Sequence, residues 1–288
     1  MRIGLTISRF NWPGGAEAVR PNLLKVARAA EDGGLYSLWV MDHFFQIQTN
    51  GPAEDPMLEG YTALGFLAAA TERVTLGTMV TGVTYRNPAI LAKTATTLDV
   101  LSGGRAYFGI GAAWFEHEHE SFGVPYPPVK ERFERLEEAI KIANGMWSDS
   151  DAGFEGEYYA PKRLLNVPAA VSSPRPRLLI GGGGEQKTLR FVARYADACN
   201  LFDGGDDFLN GKLDVLRGHC ESEGRDYDAI EKTVMQRLTP ESTAKSVAER
   251  AERLRELGFT HMIASAPVAA DDHYLGLLGE IAALIADL

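Results

Sequence analysis

The chain has 288 residues, 45% of them hydrophobic and 24% charged, enough to bury one large core and near the ~250 residues at which single α/β barrels commonly close. A formal charge of −10 excludes general affinity for nucleic-acid backbones, which needs a basic stripe to displace counterions. No apolar run approaches membrane-spanning length, and Met1 to Leu5 lead directly into a strand-like pattern, so a cytoplasmic protein with no membrane or nucleic-acid partner is expected.

Short apolar runs alternate with helical patterns from end to end, the signature of βα units around a parallel sheet. Strands are expected at 2–8, 37–41, 74–79, 105–110, 177–180, 198–202, 233–237 and 261–265. The intervening helices each bury one stripe: Phe133, Leu136, Ile140, Ala143 and Trp147 recur at steps of three or four, as do Val247, Ala251 and Leu254. Asn87-Pro88 reads as N-cap and first helical residue, and Gly258 stands where a left-handed residue ends a helix. Eight such units favour an α/β fold of the closed (β/α)8 TIM-barrel type over an open sheet, with 1–288 as a single domain. Residues 148–176, carrying Gly153, Gly156, Pro161, Pro168, Pro174 and Pro176, interrupt the rhythm between the fourth helix and the fifth strand. They read either as a lid or as a surface hairpin on the barrel rim. Cys199 and Cys220 are too few for a disulfide framework and lack metal-ligand spacing.

Three consecutive strands end in unusual chemistry, which in barrel enzymes surrounds one concave site. Asp42-His43 ends the second. Histidine exchanges a proton near neutral pH and an adjacent carboxylate can orient it, although the pair could also be a capped strand end. Thr78-Met79-Val80-Thr81-Gly82 prolongs the third where most barrels turn into a helix, as a β-bulge would. Gly109-Ile110-Gly111-Ala112-Ala113 lets backbone approach something closely before Trp114-Phe115 adds aromatic surface. The run Glu116-His117-Glu118-His119-Glu120 resembles a metal cluster, but its histidines diverge on a helix, so no metal is expected. Gly181, Gly182, Gly183 and Gly184 separate the fifth strand from a helix, either as a flexible turn or as backbone amides that cradle a phosphate. No Gly-x-Ser-x-Gly, Walker loop or Rossmann fingerprint is present, which favours redox chemistry by a bound phosphorylated cofactor over hydrolysis.

Asp42-His43-Phe44, Leu76 to Thr81, Tyr85-Arg86-Asn87-Pro88, Leu101 to Arg105, Gly109-Ile110-Gly111 and Ile180 to Gly184 together resemble the luciferase-like monooxygenase superfamily. More narrowly, the chain is similar to its coenzyme F420-dependent oxidoreductases of actinobacterial type, over nearly its whole length. The resemblance implies a homodimeric β/α barrel with a flavin or deazaflavin ring at the C-terminal mouth. It implies His43 as the catalytic residue beside the ring, Asp42 as a cofactor contact, and a bulge with a non-prolyl cis peptide at Met79-Val80 behind the ring. It further implies Thr81, Gly111, Ala112 and Ala113 along the ring and ribityl chain, Gly181 to Gly184 at the phosphate, and His117 as a candidate contact. One departure stands out: Ala112-Ala113-Trp114 occupies the place of a Thr-Gly-Glu in the sugar-phosphate dehydrogenases, so their glucose-6-phosphate reaction is not carried over. The expected function is hydride transfer between F420 and an unidentified small organic substrate. The alternatives are an FMN-dependent monooxygenase using reduced flavin and oxygen, and a non-catalytic flavin-binding protein.

Overall fold

The computed structural model describes residues 1–286. Strands β1 (Arg2–Ile7), β2 (Ser37–Val40), β3 (Thr75–Thr78), β4 (Thr81–Gly82), β5 (Ala106–Gly111), β6 (Arg177–Gly181), β7 (Ala198–Phe202), β8 (Glu231–Arg237) and β9 (His261–Ser265) form one parallel sheet. Helices α1 (Ala16–Asp32), α2 (Gly60–Ala70), α3 (Pro88–Leu101), α4 (Glu116–Phe122), α5 (Val129–Met146), α6 (Thr188–Tyr195), α7 (Asp206–Glu223), α8 (Ala244–Glu256) and α9 (Asp272–Ile285) connect and follow the strands. β1 pairs with both β2 and β9, and β3 pairs with β5, so the sheet closes into a barrel. The short β4 lies outside that ring, its Thr81 and Gly82 opposite Ile110 and Gly111 of β5.

Strands buried on both faces need apolar side chains in both directions, and these provide them. Leu5, Ile7, Leu38, Val40, Phe108, Ile110 and Ile180 belong to the layer shared with the helices. Trp39, Tyr107, Leu179, Ala198 and Ile263 fill the barrel interior beneath Met79 and Val80. Local chemistry sets the boundaries. The Asn87 side chain accepts from the Ala89 amide at 3.0 Å with Pro88 behind it, and Gly258, at φ 101°, lets the Phe259 amide return to the Leu254 carbonyl at 3.0 Å.

The N-terminal end of the barrel encloses a polar network. Glu231 accepts from Arg2 at 2.7 Å, from the Tyr107 hydroxyl at 2.8 Å and from His261 Nδ1 at 3.2 Å, with Arg177 at 2.9 Å. Residues 148–176 run along the outside. Asp99 of α3 accepts from the Val171 and Ser172 amides at 2.7 and 2.9 Å. Glu138 of α5 receives the Glu157, Tyr158 and Tyr159 amides. None of the residues from 148 to 176 lines the cavity at the barrel mouth. Among the described residues no helix is long and apolar enough to cross a membrane.

Candidate active site

A cavity of about 390 Å³ opens at the C-terminal ends of the strands, within the range of small-molecule and cofactor sites. It brings together most of the residues singled out above: Asp42 and His43 after β2, Met79 and Val80 between β3 and β4, Thr81 at the start of β4, Gly111, Ala112 and Ala113 at the end of β5, and Gly181 and Gly182 at the end of β6.

The Met79–Val80 peptide is cis, and the neighbouring strands have made room for it. A Cβ on Gly111 would stand 2.9 Å from Val80 Cγ2, and one on Gly181 2.9 Å from Val80 Cγ1, while one on Gly109 would meet the Thr78 carbonyl oxygen at 2.0 Å. The close approach legible in Gly109-Ile110-Gly111 is therefore an approach to this kink, and Val80 forms part of the cavity wall. A hydroxyl relay fixes the next residue. Thr78 donates to the Gly109 carbonyl at 3.0 Å, so it must accept from Thr81 at 2.7 Å, and Thr81 in turn accepts from Tyr61 at 2.8 Å. Its own proton committed and its side chain fully buried, the Thr81 hydroxyl has no donor to spare.

Asp42 is held by a two-pronged bond from Arg86, Nη1 to Oδ2 at 2.7 Å and Nη2 to Oδ1 at 2.8 Å. Glu59 takes a further Arg86 N–H at 2.5 Å. Burial still pushes the Asp42 carboxyl above its ordinary pKa, against the opposing pull of Arg86.

The His43 ring is fixed on three sides. Its Nδ1 lies 2.9 Å from Glu118 Oε2, and the rings of Trp114 and Phe115 meet it edge-on at centroid distances of 5.4 and 5.6 Å. Glu118, fully buried on α4, also receives the Phe44 and Phe45 amides at 2.5 and 2.8 Å and the Tyr85 hydroxyl. Burial acts to raise its pKa, but the hydrogen bonds from His43, Phe45 and Tyr85 outweigh it and hold the carboxyl below its usual range.

The structure departs from the sequence reading at three places. His117 is exposed on α4, its ring against Phe45 and Phe115, and does not line the cavity. The helical period turns 118 and 119 inward and 116, 117 and 120 outward. Gly183 and Gly184 also lie off the cavity. The glycine run does not open directly into a helix: α6 begins only at Thr188, and the Gly182 amide is engaged by the Asn200 carbonyl at 3.1 Å.

A buried cation stands on α5. Arg132 lines the cavity, is 8% exposed, and has no protein acceptor for its buried Nε and Nη1, its guanidinium resting 4.1 Å above the Tyr126 ring. Sequence reasoning missed it, although it is the one charge on the otherwise apolar buried stripe Arg132, Leu136, Ala139, Ile140 and Ala143. Glu118, Tyr85 and Arg86 were likewise given no role. At the rim Trp114 and Phe202 are 59% and 62% exposed. Among the described residues no group of three or more His, Cys, Asp or Glu side chains converges as a metal site.

The F420-dependent glucose-6-phosphate dehydrogenase of Kineococcus radiotolerans is 34% identical over 240 residues, covering 80% of this chain and 68% of the relative. An F420-dependent secondary alcohol dehydrogenase, solved with an F420–acetone adduct, superposes with a TM-score of 0.82 at 19% identity, covering 99% of this chain and 98% of its own. An EDTA monooxygenase from a Chelativorans species superposes at 0.84 with 13% identity, covering 100% and 94%. At such identities the two structures establish a shared fold. The profile of the luciferase-like monooxygenases matches residues 1–281, and the chain belongs to that family.

Proposed function

We propose that the protein is a coenzyme F420-dependent oxidoreductase that moves a hydride between the deazaflavin and a small organic substrate, with His43 exchanging the accompanying proton. The observation that carries this reading is the anchored His43 ring on the wall of a cavity backed by the Met79–Val80 kink. The actinobacterial dehydrogenase at 34% identity supports the choice of F420.

The residues present fit such a group. Val80 and the glycine-cleared backbone of β5 and β6 offer a close apolar surface to a planar ring, with Thr81 in the same wall. Arg132 supplies what a phosphate requires, a desolvated cation with N–H groups to spare. When bound, a deazaflavin supplies a hydride-exchanging carbon that reacts poorly with oxygen. The chain's own residues position the partners, exclude water with Trp114, Phe133 and Phe202, and hold the exchanged proton at His43 Nε2. The substrate is proposed to be apolar or planar, because aromatic residues dominate the rim and no carboxylate stands at Ala112-Ala113-Trp114. A homodimeric state belongs to the same reading.

Titrating the apoprotein with F420 and with FMN tests the cofactor, and FMN binding much more tightly would replace this reading with a flavin monooxygenase. Changing His43 to Ala should lower turnover about 10²- to 10⁴-fold in steady-state assays, the usual contribution of a positioned acid–base group; unaltered turnover removes that role. The Arg132→Met variant should bind F420 about 10- to 10²-fold more weakly, as expected for a lost charge-assisted bond. The same variant should bind the dephosphorylated ring and ribityl moiety as the unmodified protein does. Equal losses for both ligands, measured by fluorescence titration, would show that Arg132 does not hold the phosphate.

A further inference from the structure

We infer that Glu118 is the positioning residue of this site, fixing His43, whenever its ring is neutral, in the Nδ1–H tautomer so that Nε2 alone faces the reaction as a proton acceptor. The inference rests on the reading of His43 as the proton-exchanging group, but the structural case for it stands on Glu118 itself.

Glu118 is fully buried and does not line the cavity, so it touches neither substrate nor cofactor. Among the described residues no arginine or lysine pairs with it. Its four hydrogen-bond donors are His43 Nδ1, the Phe44 and Phe45 amides and the Tyr85 hydroxyl. Each backbone amide can only donate. The Tyr85 hydroxyl is a donor as well, because burial and the adjacent carboxylate push its pKa up and keep it protonated. Tyr85 has no freedom to turn away, since its ring stacks on His119 at 4.6 Å. His119 is itself locked between the Phe115 carbonyl at 2.8 Å and Thr84 at 2.6 Å.

A carboxylate surrounded by donors on both oxygens is stable as the ion and has no hydrogen to offer. The contact to Nδ1 therefore requires the hydrogen to sit on the imidazole, which leaves the lone pair on Nε2. Because Oε1 takes the two amides immediately after His43, one side chain orients both the ring and the backbone that carries it. The acid absent at Ala112-Ala113-Trp114 is thus not relocated to the substrate. A carboxylate a few residues further on instead acts through the histidine.

Were the substrate an alcohol, oxidation would break its carbinol C–H bond, the electron pair leaving as hydride to the bound deazaflavin. The O–H proton would pass to Nε2, giving a carbonyl product and an imidazolium. Glu118 then faces that imidazolium as its counter-ion. The reverse step returns the proton from Nε2 to the carbonyl oxygen. His43 in the other neutral tautomer would present an N–H to the substrate hydroxyl and could not take its proton.

Two measurements test this. The first is a ¹⁵N spectrum of histidine-labelled protein without cofactor, with the His43 signals identified by their loss in His43→Ala. Nδ1 should be protonated and Nε2 unprotonated at a pH where the ring is neutral. The second is Glu118→Gln, whose amide oxygen can keep the two backbone donors while its NH₂ faces Nδ1. The ring should switch to Nε2–H and turnover should fall at least about 10²-fold, with F420 affinity little changed. A neutral His43 carrying its proton on Nε2 in the unmodified protein overturns the inference, and this spectrum decides even where the variant does not fold. A variant that is merely less stable, with the tautomer and turnover unchanged, overturns it too. If the tautomer is as expected and switches in the variant but the unmodified protein turns over nothing with F420, the positioning role stands and the oxidoreductase reading fails.

Discussion

Replacing Arg86 by Met is expected to destabilise the protein by about 3–5 kcal/mol near neutral pH, the typical penalty for leaving a buried charge without its partner. Asp42 is the charge that would be stranded. Its side chain is fully buried while that of Arg86 is 16% exposed, and its remaining donor is the Gly82 amide at 3.3 Å. Glu59, more than a third exposed, can return to solvent and contributes little. The pH dependence identifies the culprit. Asp42 already has a folded-state pKa raised above its unfolded value, burial being the largest cause. A raised carboxyl is most favourable to folding where it is protonated and becomes a burden as pH climbs through its folded pKa. Loss of Arg86 raises that pKa further, so the defect should be widest at alkaline pH and shrink as the solution is acidified. Changing Asp42 to Asn in the same chain should recover most of the loss, because an amide needs no counter-charge there. Urea unfolding of the two single variants and the double variant at pH 5 and pH 8 provides the check. Additive losses with no pH dependence would mean that Asp42 is not the stranded group.

What the sequence made legible is contiguous chemistry. Asp42, His43, Met79 to Thr81 and Gly111 to Ala113 surround the cavity because each directly continues a strand, and a strand's end in a barrel is where its following residues must converge. Strand positions were readable for a related reason, since runs buried on both faces stand out as apolar. β8 shows the limit. It begins at Glu231 and Lys232, two residues before the expected start. Hydropathy assigns those charges to a loop, yet Glu231 points into a cluster supplied by β1, β5, β6 and β9. Lys232 is covered by the Tyr227 ring at 4.1 Å. Glu118 and Arg132 escaped for the complementary reason. Both sit on helices, and what gives each its meaning is distant in the chain: His43 lies 75 residues from Glu118, and Gly181 shares a cavity with Arg132 only after the barrel has closed. The glycines that close and follow β6 carry a structural task that the local pattern did not reveal. Gly181 clears space for Val80, and the Gly182 amide is committed to β7.

Replacing Glu231 by Gln should likewise lower stability by about 3–5 kcal/mol at neutral pH, without weakening a ligand bound at the opposite end of the barrel. Arg2 and Arg177, with side chains 34% and 42% exposed, can be rehydrated, so the loss falls on His261 and Tyr107, which are buried. The His261 ring is fully committed. Trp39 Nε1 donates to Ser37 Oγ at 2.7 Å, Ser37 donates to Nε2 at 2.9 Å, and Nδ1 donates to Glu231. This is a neutral imidazole, in keeping with burial, which pushes the His261 pKa down against the pull of Glu231. Glu231 itself is held down to about 2 from 4.5: burial opposes ionisation, but His261 and the two arginines overcome it. At neutral pH the arginines supply the charge and the histidine only a hydrogen bond. Both shifts act in one direction. The unfolded chain takes up a proton at His261 as pH falls below about 6.5 and at Glu231 below about 4.5, while the folded protein resists both. Stability should therefore decline from about pH 6.5 downward and more steeply between about pH 5 and 2, the Glu231 part amounting to about 3 kcal/mol when complete. In Glu231→Gln the steeper segment should flatten, because one of the two titrating groups has gone. Denaturant unfolding of both proteins across pH 7 to 3 measures the slopes directly. Parallel curves would exclude Glu231 as the acid-sensitive group, while a flattened curve with unchanged cofactor affinity would separate what holds the barrel shut from what its mouth binds.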